Sequence, residues 1–224
     1  MGSINERDIQ EYFRLLEKKF DIVHFDLPES KYENGNISFF ETVIICMLMK
    51  NINPKKVLEF GTFNGRTTVN IAANIPPDGS VITVDLPKEN MKNTRFALEG
   101  VNPDDQHDEL GYVGKTTKLY QRHDRYRSKI VQFWMDTAEF PIKKYPEYFD
   151  FIFVDASHTY ENCLNDSKNT MYCIKDDGFI LWHDYNGWPG VTQALNEIYN
   201  ESQEYYSFTH IKGTSMVLYH ADIR

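Results

Sequence analysis

The sequence predicts an α/β fold, because short apolar runs of strand length alternate with segments of helical periodicity from residue 57 onward. The first apolar run ends in a glycine turn that leads directly into a helix, which is how a nucleotide-binding βαβ unit begins. The last two strand-like segments are close in the chain and suit an antiparallel pair. These observations predict a Rossmann-like, doubly wound sheet of seven strands with an antiparallel strand at one end.

The predicted elements of the sheet follow one another in a regular order. Strands are predicted at residues 57–60, 81–84, 130–134, 149–154, 179–182, 207–211 and 215–219. Helices are predicted at 67–75, 160–174 and 191–199. The run 149–154 is almost wholly apolar, as a central parallel strand covered on both faces should be. The polar insert 88–129 is longer than a minimal connection, so we expect one or two helices and a flap over the site.

The first 54 residues are predicted to form a helical extension, followed by the core domain at 55–224. Apolar residues at helical spacing predict an amphipathic helix over 5–20, and a polar stretch over 21–36 predicts a loop. Ser38 suits a helix N-cap, and Glu41 stands three residues later, where a capping box places its acid. The helix that begins there is predicted to end near residue 50.

Composition narrows the class of protein. At 224 residues the chain can bury a large core as one domain. Its 33 acidic and 24 basic side chains give a net charge of −9, which argues against a nucleic-acid partner. Residues 1–7 have no apolar signal core, and no apolar run could span a bilayer. The 3 cysteines form no C-x-x-C pair. We therefore predict a cytoplasmic protein with a small-molecule partner, no nucleic acid and no membrane, and the sequence is compatible with a homo-oligomer.

The glycine turn has the pattern E-x-G-x-x-x-G, formed by Glu59, Gly61 and Gly65. The dinucleotide fingerprint G-x-G-x-x-G would need glycines where Phe63 and Arg66 stand. Glycines allow close approach of a ligand, and the helix N-terminus that follows suits an anion. An ordinary strand–turn–helix corner is the alternative.

Acidic residues also follow the predicted strands. Asp85 ends the second strand about 20 residues after the turn, where an acid binds ribose hydroxyls in such folds, although it could instead cap a helix. Asp155 and Asp184 follow adjacent strands, which lie about 5 Å apart, so the two carboxylates could share Mg²⁺. His158, three residues after Asp155, is suited to accept a proton. The alternatives are a loop hydrogen bond for His158 and backbone contacts for Asp184, and we expect His183 to orient its neighbours.

The glycine turn, together with Asp85, resembles motif I of the class I S-adenosylmethionine (SAM) dependent methyltransferases. The resemblance implies that SAM is bound, with the turn around its methionine end and Asp136 near the adenine amine. The cofactor-binding residues that it implies are Glu59, Gly61, Thr62, Asn64, Gly65, Asp85, Asp136 and Asp155.

A second stretch resembles one subgroup of that family. The residues F-V-D-A-S-H-x-Y at 153–160 and G-F-I-L-W-H-D at 178–184 are similar to macrolide-sugar O-methyltransferases and the cephalosporin hydroxylase group. That resemblance implies that Asp155 and Asp184 are metal ligands and that His158 is the base, so catalysis depends on His158 and Asp155. His183 stands where some relatives have a second acid, a departure that could alter or remove metal binding.

Residues 55–198 carry the resemblance, which implies an O-methyltransferase that is dependent on SAM and assisted by a divalent metal. Its acceptor would be a small-molecule or sugar hydroxyl. The alternatives are a cephalosporin-hydroxylase-like protein and a SAM-binding protein without catalysis. A protein or nucleic-acid N-methyltransferase is disfavoured, because the chain has Asp155-Ala156-Ser157-His158 where those enzymes carry an Asn/Asp-Pro-Pro-aromatic motif.

Overall fold

A computed structural model describes residues 3–87, 90, 93–96, 118–202 and 207–221. Within these residues the strands are β1 Glu6–Arg7, β2 Lys56–Phe60, β3 Ser80–Asp85, β4 Ile130–Trp134, β5 Phe149–Val154, β6 Ile174–Trp182, β7 Phe208–Ile211 and β8 Val217–His220. They form one 8-stranded sheet in the order β1-β7-β8-β6-β5-β2-β3-β4. Only β8 runs antiparallel to its neighbours, β6 and β7. The α/β prediction is confirmed, with one strand more than expected.

Helices cover both faces of the sheet. They are α1 Ile9–Leu15, α2 Phe39–Ile52, α3 Arg66–Asn74, α4 Asp124–Arg127, α5 Tyr160–Cys173 and α6 Pro189–Glu201. One core packs α1, α2 and α3 against the strand residues Val57, Val81, Phe151, Phe153 and Leu181, and the other packs α5 and α6 against Leu58, Phe60, Ile152, Ile180 and Trp182. Alternate residues of the same strands thus face opposite cores, which explains their almost continuous apolar sequence.

The N-terminal region differs from its prediction. The expected helix over 5–20 is wrong in extent, because Glu6 and Arg7 instead pair in parallel with His210 and Ile211. Asp8 then caps a helix of 7 residues by accepting a hydrogen bond from the backbone N–H of Gln10. The capping box of Ser38 and Glu41 is confirmed at the start of α2.

The long connection between β3 and β4 is described only in part. Its last residues form a 3₁₀ turn, Leu119–Arg122, and the short helix α4. The expected flap falls mainly on residues outside the described part of the chain. In the described residues, no helix is long and apolar enough to cross a membrane.

Sheet topology creates one crevice beyond the carboxyl ends of the strands. The chain runs outward from β2 to β3 and β4 on one side, and from β5 to β6 on the other. β2 and β5 are hydrogen-bonded neighbours, with Phe60 opposite Val154. This switch in strand order is where open α/β sheets bind ligands.

Candidate active site

A cavity of about 430 Å³ lies at this crevice. It is lined by Gly61, Asp85, Asp136, Asp155, His158 and Asp184, all of which were predicted as site residues from the sequence. The remaining wall includes Tyr32, Asn34, Asn36, His183 and Trp188, from the N-terminal loop and the segment that follows β6. One space therefore joins the glycine turn to the acidic residues at the ends of β3, β5 and β6.

Two glycines of the turn are required by its geometry. Gly61 has a φ of +92°, and a Cβ placed on it would lie 1.9 Å from the backbone oxygen of Asp155. Gly65 has a φ of +80°, and its Cβ would lie 2.8 Å from Cδ1 of Tyr120. Both conformations are left-handed, a region that glycine enters at little cost. The turn is therefore close-packed against β5 on one side and against the β3–β4 connection on the other.

Four of the predicted cofactor residues do not line the cavity: Glu59, Thr62, Asn64 and Gly65. Strand alternation turns Glu59 toward α3, where its Oε2 accepts hydrogen bonds from the hydroxyls of Thr68 at 2.5 Å and Thr83 at 2.6 Å. Burial raises the pKa of Glu59 to about 8, although both hydroxyl bonds oppose that shift. Thr62 extends the network through a 2.6 Å contact between its hydroxyl and that of Thr83.

Asn64 supports the turn from outside the cavity. Its Oδ1 accepts a hydrogen bond from the backbone N–H of Arg66 at 3.0 Å and another from the Nδ2 of Asn36 at 3.0 Å. Its Nδ2 donates to Glu33. Asn64 thus fixes the start of α3 and ties it to the N-terminal loop that supplies part of the cavity wall.

Asp85 lines the cavity as an ion-paired carboxylate. Its Oδ2 lies 2.5 Å from Nζ of Lys118, whose side chain is fully buried. Burial holds the pKa of Asp85 above its usual range, although Lys118 and the backbone N–H groups of Thr62 and Phe63 oppose this shift. Lys118 was not identified from the sequence, because it stands in the insert, outside any recognisable motif.

Asp136 also reaches the cavity, and its position is fixed locally. Its Oδ1 accepts a hydrogen bond from the backbone N–H of Ala138 at 2.9 Å, which caps the 3₁₀ turn Thr137–Glu139. Its Oδ2 accepts one from the backbone N–H of Arg95 at 2.8 Å. The carboxylate thus ties the end of β4 to a residue of the β3–β4 connection.

Asp155, His183 and Asp184 form an acidic cluster at the ends of β5 and β6. Each offers one ligand atom, and these atoms all lie within 4.8 Å of one another. The Nδ1 of His183 is 3.1 Å from an oxygen of Asp155 and 3.1 Å from an oxygen of Asp184. The structure therefore confirms that the two carboxylates are close, and it places the imidazole of His183 between them.

The charges in the cluster are strongly coupled. Burial disfavours the charged form of His183, but Asp155, Asp184 and Glu41 outweigh it and hold the pKa of His183 well above its usual range. Burial also raises the pKa of Asp155. The pKa of Asp184 is low, because hydrogen bonds from His158 and His183 outweigh its burial.

His158 faces this cluster directly. Its Nε2 lies 2.9 Å from Oδ2 of Asp184. Its ring stacks on Trp188, with centroids 4.2 Å apart and planes 7° apart. A Cβ on Gly190 would lie 2.5 Å from the backbone oxygen of His158, so a glycine is needed where α6 begins. The D-x-x-H spacing thus brings His158 to the acids, as expected.

Glu41 reaches the cluster from α2, in the predicted extension. Its Oε2 is 3.4 Å from Nε2 of His183 and also accepts the capping-box hydrogen bond from the backbone N–H of Ser38. Its Oε1 accepts hydrogen bonds from the backbone N–H and the hydroxyl of Ser215, both at 2.9 Å. The sequence predicted the capping contact, but it held no signal for the contacts with residues so distant in the chain.

Sequence comparison with known proteins relates the chain to methyltransferases. Residues 58–185 match a family model described as a methyltransferase domain. Caffeoyl-CoA O-methyltransferase 2 from Petunia hybrida is 28% identical over 154 residues, which are 69% of this chain and 55% of that protein. The corresponding enzyme from Stellaria longipes is 29% identical over 156 residues, with the same shares. The chain thus spans just over half the length of these curated relatives.

Solved structures share the fold. The methyltransferase PaMTH1 of Podospora anserina, bound to S-adenosylhomocysteine (SAH), has a TM-score of 0.61 at 13% identity and covers 100% of both chains. The O-methyltransferase TomG of Streptomyces achromogenes, in complex with SAM, has a TM-score of 0.54 at 15% identity, over 96% of this chain and 87% of that one. At these identities the likeness is one of fold.

Proposed function

Because the chain belongs to the methyltransferase domain family, we propose that it transfers a methyl group from SAM to a hydroxyl group of a small molecule. One observation carries this proposal: a single cavity joins the glycine turn and Asp85 to the cluster of Asp155, His183 and Asp184, with His158 beside it. A donor site and an acceptor site for group transfer must adjoin in this way, since the reacting atoms have to meet at about 3–3.5 Å.

SAM would bind along the turn and the ends of β3 and β4. The methionine end would lie beside Gly61 and Phe63, which line the cavity, and Asp85 would accept hydrogen bonds from the ribose hydroxyls. Asp136, on the same wall, would meet the adenine amine. Glu59, Thr62 and Asn64 would act from behind the turn by fixing its shape.

The cluster fits a divalent cation. Two carboxylate oxygens and an imidazole nitrogen within 4.8 Å of one another form a partial ligand set, in which a cation would replace the proton that His183 holds between the two carboxylates. Asp155, Asp184 and His183 would hold the ion, and Mg²⁺ is the expected species because oxygen ligands dominate. When bound, such an ion lowers the pKa of an acceptor hydroxyl and helps to orient it.

His158 would take the proton of the acceptor. The acceptor oxygen forms a bond to the methyl carbon as the carbon–sulfur bond of SAM breaks, which leaves SAH, and the hydroxyl proton passes to His158. Asp184 then stabilises the imidazolium, and Trp188 holds the ring in place.

For the methyl acceptor, we propose a chemical class and not a specific compound. The resemblance to macrolide-sugar enzymes favours a carbohydrate hydroxyl, while the names of the plant relatives favour the hydroxyl of a caffeoyl group. A cephalosporin-hydroxylase-like activity, or SAM binding without catalysis, are the competing functions. Detection of methyl transfer from SAM to an acceptor would distinguish the proposed methyltransferase from these two alternatives.

The test uses purified protein with labelled SAM, Mg²⁺ and a panel of catechols and sugar glycosides. His158→Ala is expected to lower turnover roughly 10²–10⁴-fold, the usual range for loss of a general base, with SAH affinity by calorimetry unchanged. Asp184→Asn should lower activity and weaken Mg²⁺ binding while leaving SAH affinity nearly intact. His24→Ala, at an exposed histidine, is the matched control.

Three results would contradict parts of this proposal. Methyl transfer that is insensitive to a chelator would remove the metal from it and leave His158 as the base. SAH binding without methyl transfer to any acceptor would favour the binding-protein alternative. No binding of either SAM or SAH would overturn the proposed function itself.

A further inference from the structure

The end of the β3–β4 connection contacts the glycine turn at three successive residues, Phe63, Asn64 and Gly65. Nζ of Lys118 donates a hydrogen bond to the backbone oxygen of Phe63. The backbone N–H of Leu119 donates to the backbone oxygen of Asn64 at 2.7 Å. The ring of Tyr120 packs where a Cβ on Gly65 would otherwise project. We call residues 118–120 the clamp.

Lys118 is the central contact of the clamp. Its side chain is fully buried, and Nζ lies 2.5 Å from Oδ2 of Asp85 and 4.7 Å from the ring centroid of Trp134. An ammonium group out of water is costly unless it is paired and hydrogen-bonded, so this position is specified by its partners. Lys118 thus joins Asp85 at the end of β3 to Phe63 in the turn.

The backbone conformation of Phe63 explains why its carbonyl needs the hydrogen bond from Lys118. Phe63 has a φ of +48°, a left-handed conformation that is unfavourable for a residue with a Cβ. Its carbonyl is held by Lys118, and its backbone N–H is directed at Asp85. Loss of Lys118 would therefore release both the turn and the carboxylate.

The charges around Asp85 show why a cation is needed there. Glu59 and Tyr120 face Asp85 as acidic groups, Lys118 faces it as the cation, and the backbone N–H groups of Thr62 and Phe63 also point at it. Burial favours the protonated carboxyl, and the Lys118 ammonium opposes that effect most strongly. A carboxylate accepts hydrogen bonds from hydroxyl groups more strongly than a neutral carboxyl does.

We propose that Lys118 is a positioning residue of the cofactor site: it keeps Asp85 ionised and aimed at the ribose, and it holds the glycine turn in its binding shape. This inference rests on the proposed function, since it takes SAM or SAH as the ligand. It gives the β3–β4 insert a role in cofactor affinity, through a residue outside motif I.

The test measures SAH affinity by calorimetry at pH about 6 and about 8.5, in wild type and in Lys118→Met. At the lower pH we expect the variant to bind SAH roughly tenfold to 100-fold more weakly, because burial favours the protonated form of Asp85 once the ammonium is lost and because the turn is released. At the higher pH the loss should be smaller, because the ionised form of Asp85 is more populated, while the part that comes from the released turn remains. Lys118→Gln, which also lacks the charge, should behave alike and serves if Lys118→Met does not fold.

Lys129 offers a matched control in the same connection. Its Nζ donates to the backbone oxygens of Ala72, Ile75 and Pro76, so Lys129→Met removes a similar set of contacts far from Asp85. We expect its SAH affinity to stay within twofold of wild type. In an Asp85→Asn background, Lys118→Met should cause no pH-dependent loss.

The outcomes separate this inference from the proposed function. If wild type binds SAH and Lys118→Met binds equally well at both pH values, the inference alone is overturned. The same holds if Lys129→Met loses as much affinity, or if the loss in Lys118→Met does not change with pH. If wild type binds no SAH, the proposed function is overturned together with the inference.

Discussion

Glu59 occupies the acidic position of the glycine-turn motif, but its side chain lies behind the turn. Residues in a strand alternate between faces, and Glu59 shares the face of Val57, which packs toward α3. Two hydroxyl groups satisfy one of its oxygens in a site without exposed surface. A motif identifies the residue type at such a position, whereas the direction of the side chain depends on the strand and its neighbours.

The buried carboxyl of Glu59 should make the protein less stable as pH rises. Its pKa is about 8 in the folded state against an ordinary value of 4.5, so between these values the folded state binds more protons than the unfolded state. The free energy of unfolding should therefore fall with increasing pH, by at most about 1.4 kcal/mol per pH unit for one group. Glu59→Gln should lack this contribution, so denaturant titrations across the window should show its slope flattened relative to wild type. Equal slopes would show that Glu59 is ionised when folded.

Among single residues, the sequence was most informative at the carboxyl ends of the strands. Asp85, Asp136, Asp155, His158 and Asp184 all reach one cavity, because parallel strands end at the same edge of a sheet. Lys118 and Glu41 could not be found in this way. Their partners lie 33 residues away at Asp85 and 174 residues away at Ser215, and no local pattern encodes such a contact.

At the scale of elements, α3 illustrates where pattern reading fails. An amphipathic helix at the surface of a protein ordinarily buries its apolar residues and leaves its polar residues in water. Instead Arg66, Asn70 and Asn74, spaced by four, are buried under the N-terminal loop. Asn70 and Asn74 each make a pair of hydrogen bonds with the backbone of Glu29 and Asp26, respectively, and Arg66 donates to the backbone oxygen of Ile37. This ladder holds the loop that carries Tyr32 and Asn34 to the cavity.

Loss of one of these asparagine side chains should destabilise the N-terminal loop near the residue that it binds. Asn74→Ala leaves the backbone N–H and oxygen of Asp26 without their partner, so we expect unfolding to become easier by about 1–3 kcal/mol. Hydrogen exchange should accelerate at the amide of Asp26 and its neighbours. Asn51→Ala is the matched control, since Asn51 binds the backbone of Asp21 by the same pair of hydrogen bonds from α2. It should accelerate exchange near Asp21 instead; identical exchange patterns in the two variants would contradict the ladder.

At the scale of the whole molecule, alternation of strands and helices was enough to predict the sheet and its antiparallel strand. It was not enough to predict how the first residues join the core. β1 adds to the sheet edge beside β7, which is nearly the whole length of the chain away. α1 and α2 supply much of one core, with Tyr12, Phe13, Leu48 and Met49 buried there. Long-range pairings of this kind depend on the finished sheet, so local periodicity gives no sign of them.

Glu41 is where the N-terminal region, the last strands and the acidic cluster meet. Its carboxylate caps α2 through Ser38, binds the β7–β8 connection through Ser215 and lies next to His183. The charged form is strongly favoured, because hydrogen bonds and the charge of His183 outweigh its burial and lower its pKa. One side chain therefore couples three parts of the fold.

Glu41→Ala should destabilise the whole protein, because it leaves the N–H groups of Ser38 and Ser215 without their acceptor in a partly buried setting. We expect the free energy of unfolding to fall by about 2–5 kcal/mol, since a hydrogen-bonded buried charge is lost. Glu161→Ala is the matched control: Glu161 also lies in the first turn of a helix, but it is exposed, so its loss should cost no more than about 1 kcal/mol. Denaturant unfolding of both variants measures the difference. Equal costs would mean that Glu41 acts only at its own helix and does not join the N-terminal region to the site.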